Sequence, residues 1–356
     1  MTKKISDNRN IGLDLIRINA FLAIIIYHAT WIFWAHLPAP PRPFPTTFWT
    51  IASSYARALS FSGFIVVFLS SLLYGQKQKS FSQKKWLAPF VLTAWIIFCI
   101  LLGVREHVEF QISWDIYPLL LLGFSSGSLL IKYFDSKFGT IVSFILLLVP
   151  YWKLESYIKN NFIQQVLVGS CPEDYADWPI LPWIFLIWFG MFTGKMLKEK
   201  SYWPSWNMNQ KEAFFWLIPI FLMTYSYKTY YEVPLGNYWA CYTFIQDFTK
   251  FTSHFLFFLF LIRSTLDSRV QIFLKKIPLC LKISRLYSNR YFFLAYLLHY
   301  ILLFSLLGIM RSRNLYDNPY FQDFGLIFCI FSTEYLTRIS VKIFFSIKAK
   351  KSSRFN

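Results

Sequence analysis

The chain has 356 residues, of which 56% are hydrophobic, 21% aromatic and only 15% charged. A soluble domain carries about 25% charged residues, and 40 Phe, 22 Tyr and 14 Trp supply far too much apolar surface for a disordered chain. Apolar runs of roughly 15–25 residues, long enough to cross a hydrocarbon core of about 30 Å, recur to the C-terminus. A lone signal peptide does not account for them, and a disulfide-stapled mini-protein is excluded by the length and the five Cys. The composition is that of a polytopic membrane protein.

In chain order, the apolar runs predict spans near 14–35, 54–75, 88–103, 115–132, 139–152, 179–197, 213–227, 244–262, 291–310 and 324–345. The expected fold is an all-α membrane bundle of about ten transmembrane helices. It forms one domain over 1–356 with short tails at about 1–12 and 346–356. The net charge of +18 would suggest nucleic acid in a soluble protein, but its distribution argues otherwise. With the N-terminus in the cytoplasm, alternate connections hold about 25 of the 36 basic residues, in clusters such as Lys77, Lys79, Lys84 and Lys85 or Lys195, Lys198, Lys200 and Lys211. The other side holds eight, scattered singly or in pairs: Arg42, Arg57, Arg105, Lys153, Lys159, Lys228, Arg311 and Arg313. This bias orients spans in a bilayer, so the charge reports topology and no nucleic-acid partner is expected. Both termini are then cytoplasmic.

The outer connections differ in character. Ala35–Thr50 is proline-rich and favours extended chain, while Trp152–Trp178 carries Glu155, Glu173, Asp174 and Asp177. Cys171 and Cys241 fall in outer connections, where they are either two free thiols or a disulfide across the loops. Trp31, Trp34, Trp49, Trp114, Trp178 and Trp183 gather near the outer interface as belt anchors.

Chemistry begins in the first span. Arg17 and His28 are eleven residues apart, almost three turns, so they project from one helix face about 16 Å apart. Asp14 lies one turn before Arg17 and can pair with it. Ionisable groups inside a span are costly and face the bundle interior or a wet cavity, which makes this a functional face. His299 sits within a later span as either a helix-packing residue or a second polar cavity residue. His254 reads similarly, and His36 and His107 lie in outer connections. The sequence holds no His-x3-His or Cys-x2-Cys pair, so no metal site is expected. Glu334 and Arg338, four apart, form an intrahelical ion pair. Asp115 either caps the fourth span or lines a polar outer entrance with Glu106 and Glu109.

Asp14-Leu-Ile-Arg17 followed by Ala20 and His28 resembles the first-helix Arg-x10-His motif of the acyltransferase 3 family, integral membrane O-acetyltransferases of bacterial surface polysaccharide and lipopolysaccharide. Ser62-Gly63-Phe64, or alternatively Val67-Phe-Leu-Ser-Ser71, occupies the place of its second-helix Ser-Gly-Phe motif. Phe81–Pro89 is similar to its basic approach to the third helix, with Lys84 and Lys85 where arginines are common, and Tyr296-Leu-Leu-His299 to its late Tyr-Leu-x-His. Pro179–Ile184 with Gly190 and Gly194 is similar to the heparan-glucosaminide N-acetyltransferase-like branch of the same superfamily, which leaves the acceptor atom, oxygen or nitrogen, open.

The resemblance implies a multi-pass protein of the bacterial cytoplasmic (inner) membrane. It would transfer an acyl group, acetyl first, from cytoplasmic acyl-CoA to a glycan acceptor, with the lipid bilayer around it and no metal. His28 would be the general base, because imidazole has the right unperturbed pKa to accept a hydroxyl proton. Arg17, Lys84 and Lys85 would meet the phosphates of acetyl-CoA or another acyl-CoA around a cytoplasm-facing cavity. A flippase or transporter for a glycan precursor would also need ten spans, but it predicts symmetry between halves, which the sequence lacks, and gives no reason for the Arg17–His28 spacing.

Overall fold

The computed structural model describes residues 10–35, 62–77, 87–105, 116–149, 154, 157–158, 160–168, 179–199, 208–212, 217–218, 248–286, 292–315 and 319–352. Among them are helices and no strand. The helices are α1 (Ile11–Ala35), α2 (Ser62–Lys77), α3 (Leu87–Arg105), α4 (Ile116–Tyr133), α5 (Ser136–Leu147), α6 (Asn161–Val168), α7 (Ile180–Glu199), α8 (Phe248–Leu266), α9 (Ser268–Lys276), α10 (Pro278–Ile283), α11 (Phe292–Ser312) and α12 (Pro319–Ser352). Five are long and apolar enough to cross a membrane: 11–29 of α1, α4, α7, 293–312 of α11 and 323–343 of α12. Shorter apolar helices cover 65–76, 89–101, 136–147 and 256–266. The protein is a helical membrane protein. The span expected at 213–227 lies outside the described residues except for Leu217 and Ile218.

The helices form two compact units. One combines the first 63 residues with those from Leu274 onward. Here α11 packs on α12, and α1 packs on both. Helix α1 starts where the Asn10 side chain accepts the Leu13 amide at 2.9 Å, an N-cap that satisfies a donor left over at the helix start. Its larger apolar residues Leu13, Ile18, Phe21, Ile24 and Ile25 are buried along one side, while Asn19 on the opposite side is exposed. Helix α12 instead buries the stripe Leu326, Cys329, Thr333 and Thr337 and exposes Phe324, Phe328, Phe331 and Tyr335. That outer face suits lipid, because hydrocarbon gives apolar side chains no reason to turn inward.

The second unit, 64–273, is organised around α7, against which α4, α5 and α6 pack. Lipid tails supply no hydrophobic drive between helices, so close backbone approach at small residues does the work. A Cβ on Gly194 would lie 2.1 Å from the Leu72 carbonyl oxygen, and one on Gly75 would lie 2.0 Å from that of Met191. Only glycine lets α2 and α7 touch this closely. Between α4 and α5 the chain turns in two residues, with the Asp135 carboxylate accepting the Lys137 and Phe138 amides. These hydrogen bonds hold the Asp135 pKa below its ordinary value. The connection 152–178 contains the short helix α6, a feature the sequence reading left out.

Two juxtapositions in this unit bring predicted inner connections together. Lys195 near the end of α7 donates to the Ile131 carbonyl at 2.9 Å, and Ser136 donates to Glu199 at 2.6 Å. The Asp267 carboxylate between α8 and α9 accepts the Met208 amide at 2.7 Å, while Glu212 makes a two-pronged pair with Arg263 at 2.5 and 2.8 Å.

Candidate active site

The polar centre of the first unit is built by α1 and α11. Helix periodicity puts Tyr296, His299 and Tyr300 on one face of α11, three and four residues apart. That face meets His28 of α1. His28 Nδ1 lies 2.8 Å from His299 Nε2, and His28 Nε2 lies 3.0 Å from the Tyr300 hydroxyl. One proton occupies the bond between the imidazoles, since two would clash and none would leave lone pairs opposed. Both ring nitrogens of His28 are thereby engaged.

Packing fixes these rings. His28 stacks on Tyr300 with centroids 4.6 Å apart and on His299 at 5.2 Å. Tyr296 meets His299 edge-on at 4.9 Å, and Phe21 does so from α1 at 5.6 Å. Behind them, Cys329 of α12 approaches the His299 carbonyl at 3.7 Å. His299 is wholly buried, whereas His28 is half-buried. An imidazole held this way can exchange a proton with a hydroxyl or amine brought to it.

Arg17 and Asp14 form the expected pair, 3.2 Å apart, with Arg17 only 4% exposed. The structure thus brings His299 to His28 and Asp14 to Arg17. Lys84, Lys85 and Asp115 lie outside the described residues, as do Cys171 and Cys241. In the alternative second-helix register, the Ser71 hydroxyl turns back onto the Val67 carbonyl of its own helix at 2.7 Å, so it is not presented to a substrate. Glu334 and Arg338 pair along α12. Gly190 and Gly194 serve the α2–α7 contact. Among the described residues, no group of His, Cys, Asp or Glu gathers as a metal site would require.

Sequence reasoning missed Tyr300. Its placement was available: it follows His299 directly and lies one turn after Tyr296, so it shares the face that carries both.

The family model described as heparan-alpha-glucosaminide N-acetyltransferase, catalytic, matches residues 9–231, more than half of the chain. The chain belongs to this family. Neither a curated protein nor a solved structure matches it. Membership in the heparan-alpha-glucosaminide N-acetyltransferase family carries a membrane acetyltransferase-like activity with an acyl donor and an acceptor. The matched segment includes His28, Arg17 and Asp14 on α1. It stops before α11, so His299 and Tyr300 complete the polar cluster from beyond it.

Proposed function

We propose that the protein is an integral membrane O-acyltransferase that moves an acyl group, acetyl first, from acyl-CoA to a hydroxyl of a surface or lipid-linked glycan. The observation that carries this reading is the His28–His299 pair, 2.8 Å apart between two apolar helices of a chain in an acetyltransferase family. Ionisable side chains inside a bilayer are costly, and where they persist they mark a functional site. In the reaction, the acceptor hydroxyl loses its proton toward His28 as its oxygen bonds to the thioester carbonyl carbon. Collapse of the tetrahedral adduct breaks the C–S bond, and the imidazolium returns the proton to the departing CoA thiolate. His299 holds the His28 ring and accepts or donates the single proton between them.

The donor is an anion, and the sequence offers Arg17, Lys84 and Lys85 as cations for its phosphates. The charge bias supports a cytoplasmic side for these groups and for both termini, as in a bacterial inner membrane. Support also comes from the contacts that join predicted inner connections, Lys195 with Ile131 and Asp267 with Met208. The family match favours a second reading, transfer to the amine of a glucosaminide. The base chemistry is the same, and the product separates the two: an ester is cleaved by mild alkali and an amide is not.

The test is acyl analysis of envelope glycans from cells carrying the wild-type protein or His28→Ala, at matched membrane expression. The variant is expected to lose the acyl groups, and near-normal acylation would overturn the assignment.

A further inference from the structure

We infer that Tyr300 is a proton-relaying catalytic residue that stands between the acceptor and His28, an inference that rests on the acyl-transfer reading above. The reason is an accounting of lone pairs. His28 Nδ1 is committed to His299 at 2.8 Å and His28 Nε2 to the Tyr300 hydroxyl at 3.0 Å. An imidazole has two nitrogens, so no site on the ring remains for the acceptor's proton. Either the acceptor displaces Tyr300 or its proton travels through it.

Packing decides against displacement. The Tyr300 ring is 5% exposed and wedged between four other rings. It lies 4.5 Å from His299, 4.6 Å from His28, 5.4 Å from Tyr296 and 6.1 Å from Phe304, centroid to centroid. Swinging it out would vacate a packed core position, whereas a hydroxyl proton rotates freely about its C–O bond. The relay is therefore a concerted double transfer. The acceptor O–H passes its proton to the Tyr300 oxygen, the Tyr300 O–H passes its own to His28 Nε2, and the acceptor oxygen bonds to the acyl carbon. Tyr300 ends neutral, His28 ends as imidazolium, and reversal of the two transfers protonates the CoA thiolate. A relaying phenol also explains why His28 is stacked on Tyr300 rather than left open to the substrate.

The experiment uses the full-length protein in detergent or nanodiscs, with acetyl-CoA as donor and the acceptor glycan found in the His28→Ala comparison. Tyr300→Phe removes one oxygen and keeps the ring. The expected result is a fall in kcat on the order of tenfold to a hundredfold with little change in KM for either substrate. In mixtures of light and heavy water, the wild-type rate should bow downward as two protons move together. The variant's rate should fall linearly. Wild-type or faster turnover in Tyr300→Phe would mean that the acceptor reaches His28 by displacing the phenol, and the relay is wrong. If Tyr300→Phe does not accumulate in the membrane, 3,5-difluorotyrosine at position 300 keeps size and hydroxyl while making the phenol more acidic. A relay then changes kcat by at least about threefold, and an unchanged kcat overturns it. Full activity in His28→Ala would instead overturn the acyl-transfer reading itself, so the two failures are distinguishable.

Discussion

His28 and His299 are 271 residues apart in sequence, yet His28 Nδ1 and His299 Nε2 share one hydrogen bond of 2.8 Å. His299 cannot touch an acceptor, because it is wholly buried behind His28. Its contribution is to fix the ring and proton position of His28, the proposed base. His299→Gln keeps a polar group at the end of a side chain and should lower kcat on the order of tenfold to a hundredfold, a part of what general-base catalysis supplies, with KM unchanged. His299→Leu should fall further. Steady-state kinetics on purified protein checks both, and a variant that alters KM alone would assign His299 to binding.

One pair of substitutions separates the ion-pair role of Arg17 from its proposed role at the donor phosphates. Arg17 is buried against Asp14 at 3.2 Å, so Arg17→Ala leaves a carboxylate without that partner. Breaking such a pair destabilises by about 3–5 kcal/mol. If Arg17 also meets the donor phosphates, Arg17→Lys should keep most of the stability while weakening acyl-CoA binding at least about tenfold, because lysine lacks the two-pronged guanidinium geometry. Thermal unfolding and calorimetric titration with CoA report the two effects. Unchanged CoA affinity in Arg17→Lys and Arg17→Ala leaves the residue as an ion-pair partner only.

The contact between α2 and α7 should reject even one methyl group. In Gly194→Ala the new Cβ would fall 2.1 Å from the Leu72 carbonyl oxygen and 3.0 Å from the Gln76 amide, so backbone must move. Overpacking of this kind costs about 1–3 kcal/mol. Gly308→Ala is the control, since no described atom lies within 4 Å of its Cβ position. A lowered melting temperature is expected for the first and not for the second. Equal melting temperatures would show that α2 and α7 do not pack through glycine.

Asp267, beyond the apolar end of α8, gives a pH-dependent contribution of defined sign. The Arg269 side chain, at 3.1 and 2.8 Å, is the main cause that depresses its pKa well below the ordinary value, and the Met208 and Arg269 amides add to it. A depressed folded-state pKa stabilises fully above the ordinary carboxylate value of about 4 and loses that stabilisation as pH falls toward the folded value. Asp267→Asn should therefore melt lower than wild type at pH 7, with the gap narrowing below about pH 4. A gap that is constant from pH 7 to pH 3 would mean that the charge of Asp267 is not what holds the 208–212 segment.

Local pattern was enough for much of this protein. Apolar run length located the five helices that are long enough to cross a membrane, because a bilayer demands about 20 apolar residues for each crossing. Spacing of three and four placed Asp14 beside Arg17 and Glu334 beside Arg338, since helix geometry alone sets those distances. The same periodicity put Arg17 and His28 on one face of α1. What periodicity cannot supply is the identity of the facing helix. Sequence leaves His299 as either a packing residue or a second polar cavity residue and gives Tyr300 no role; the contact of α11 with α1 decides both. The choice belongs to tertiary packing: rotating α11 would turn both side chains away from His28, and the stacking of Phe21, Tyr296, His299 and Tyr300 helps hold the rotation in which both nitrogens of His28 find partners.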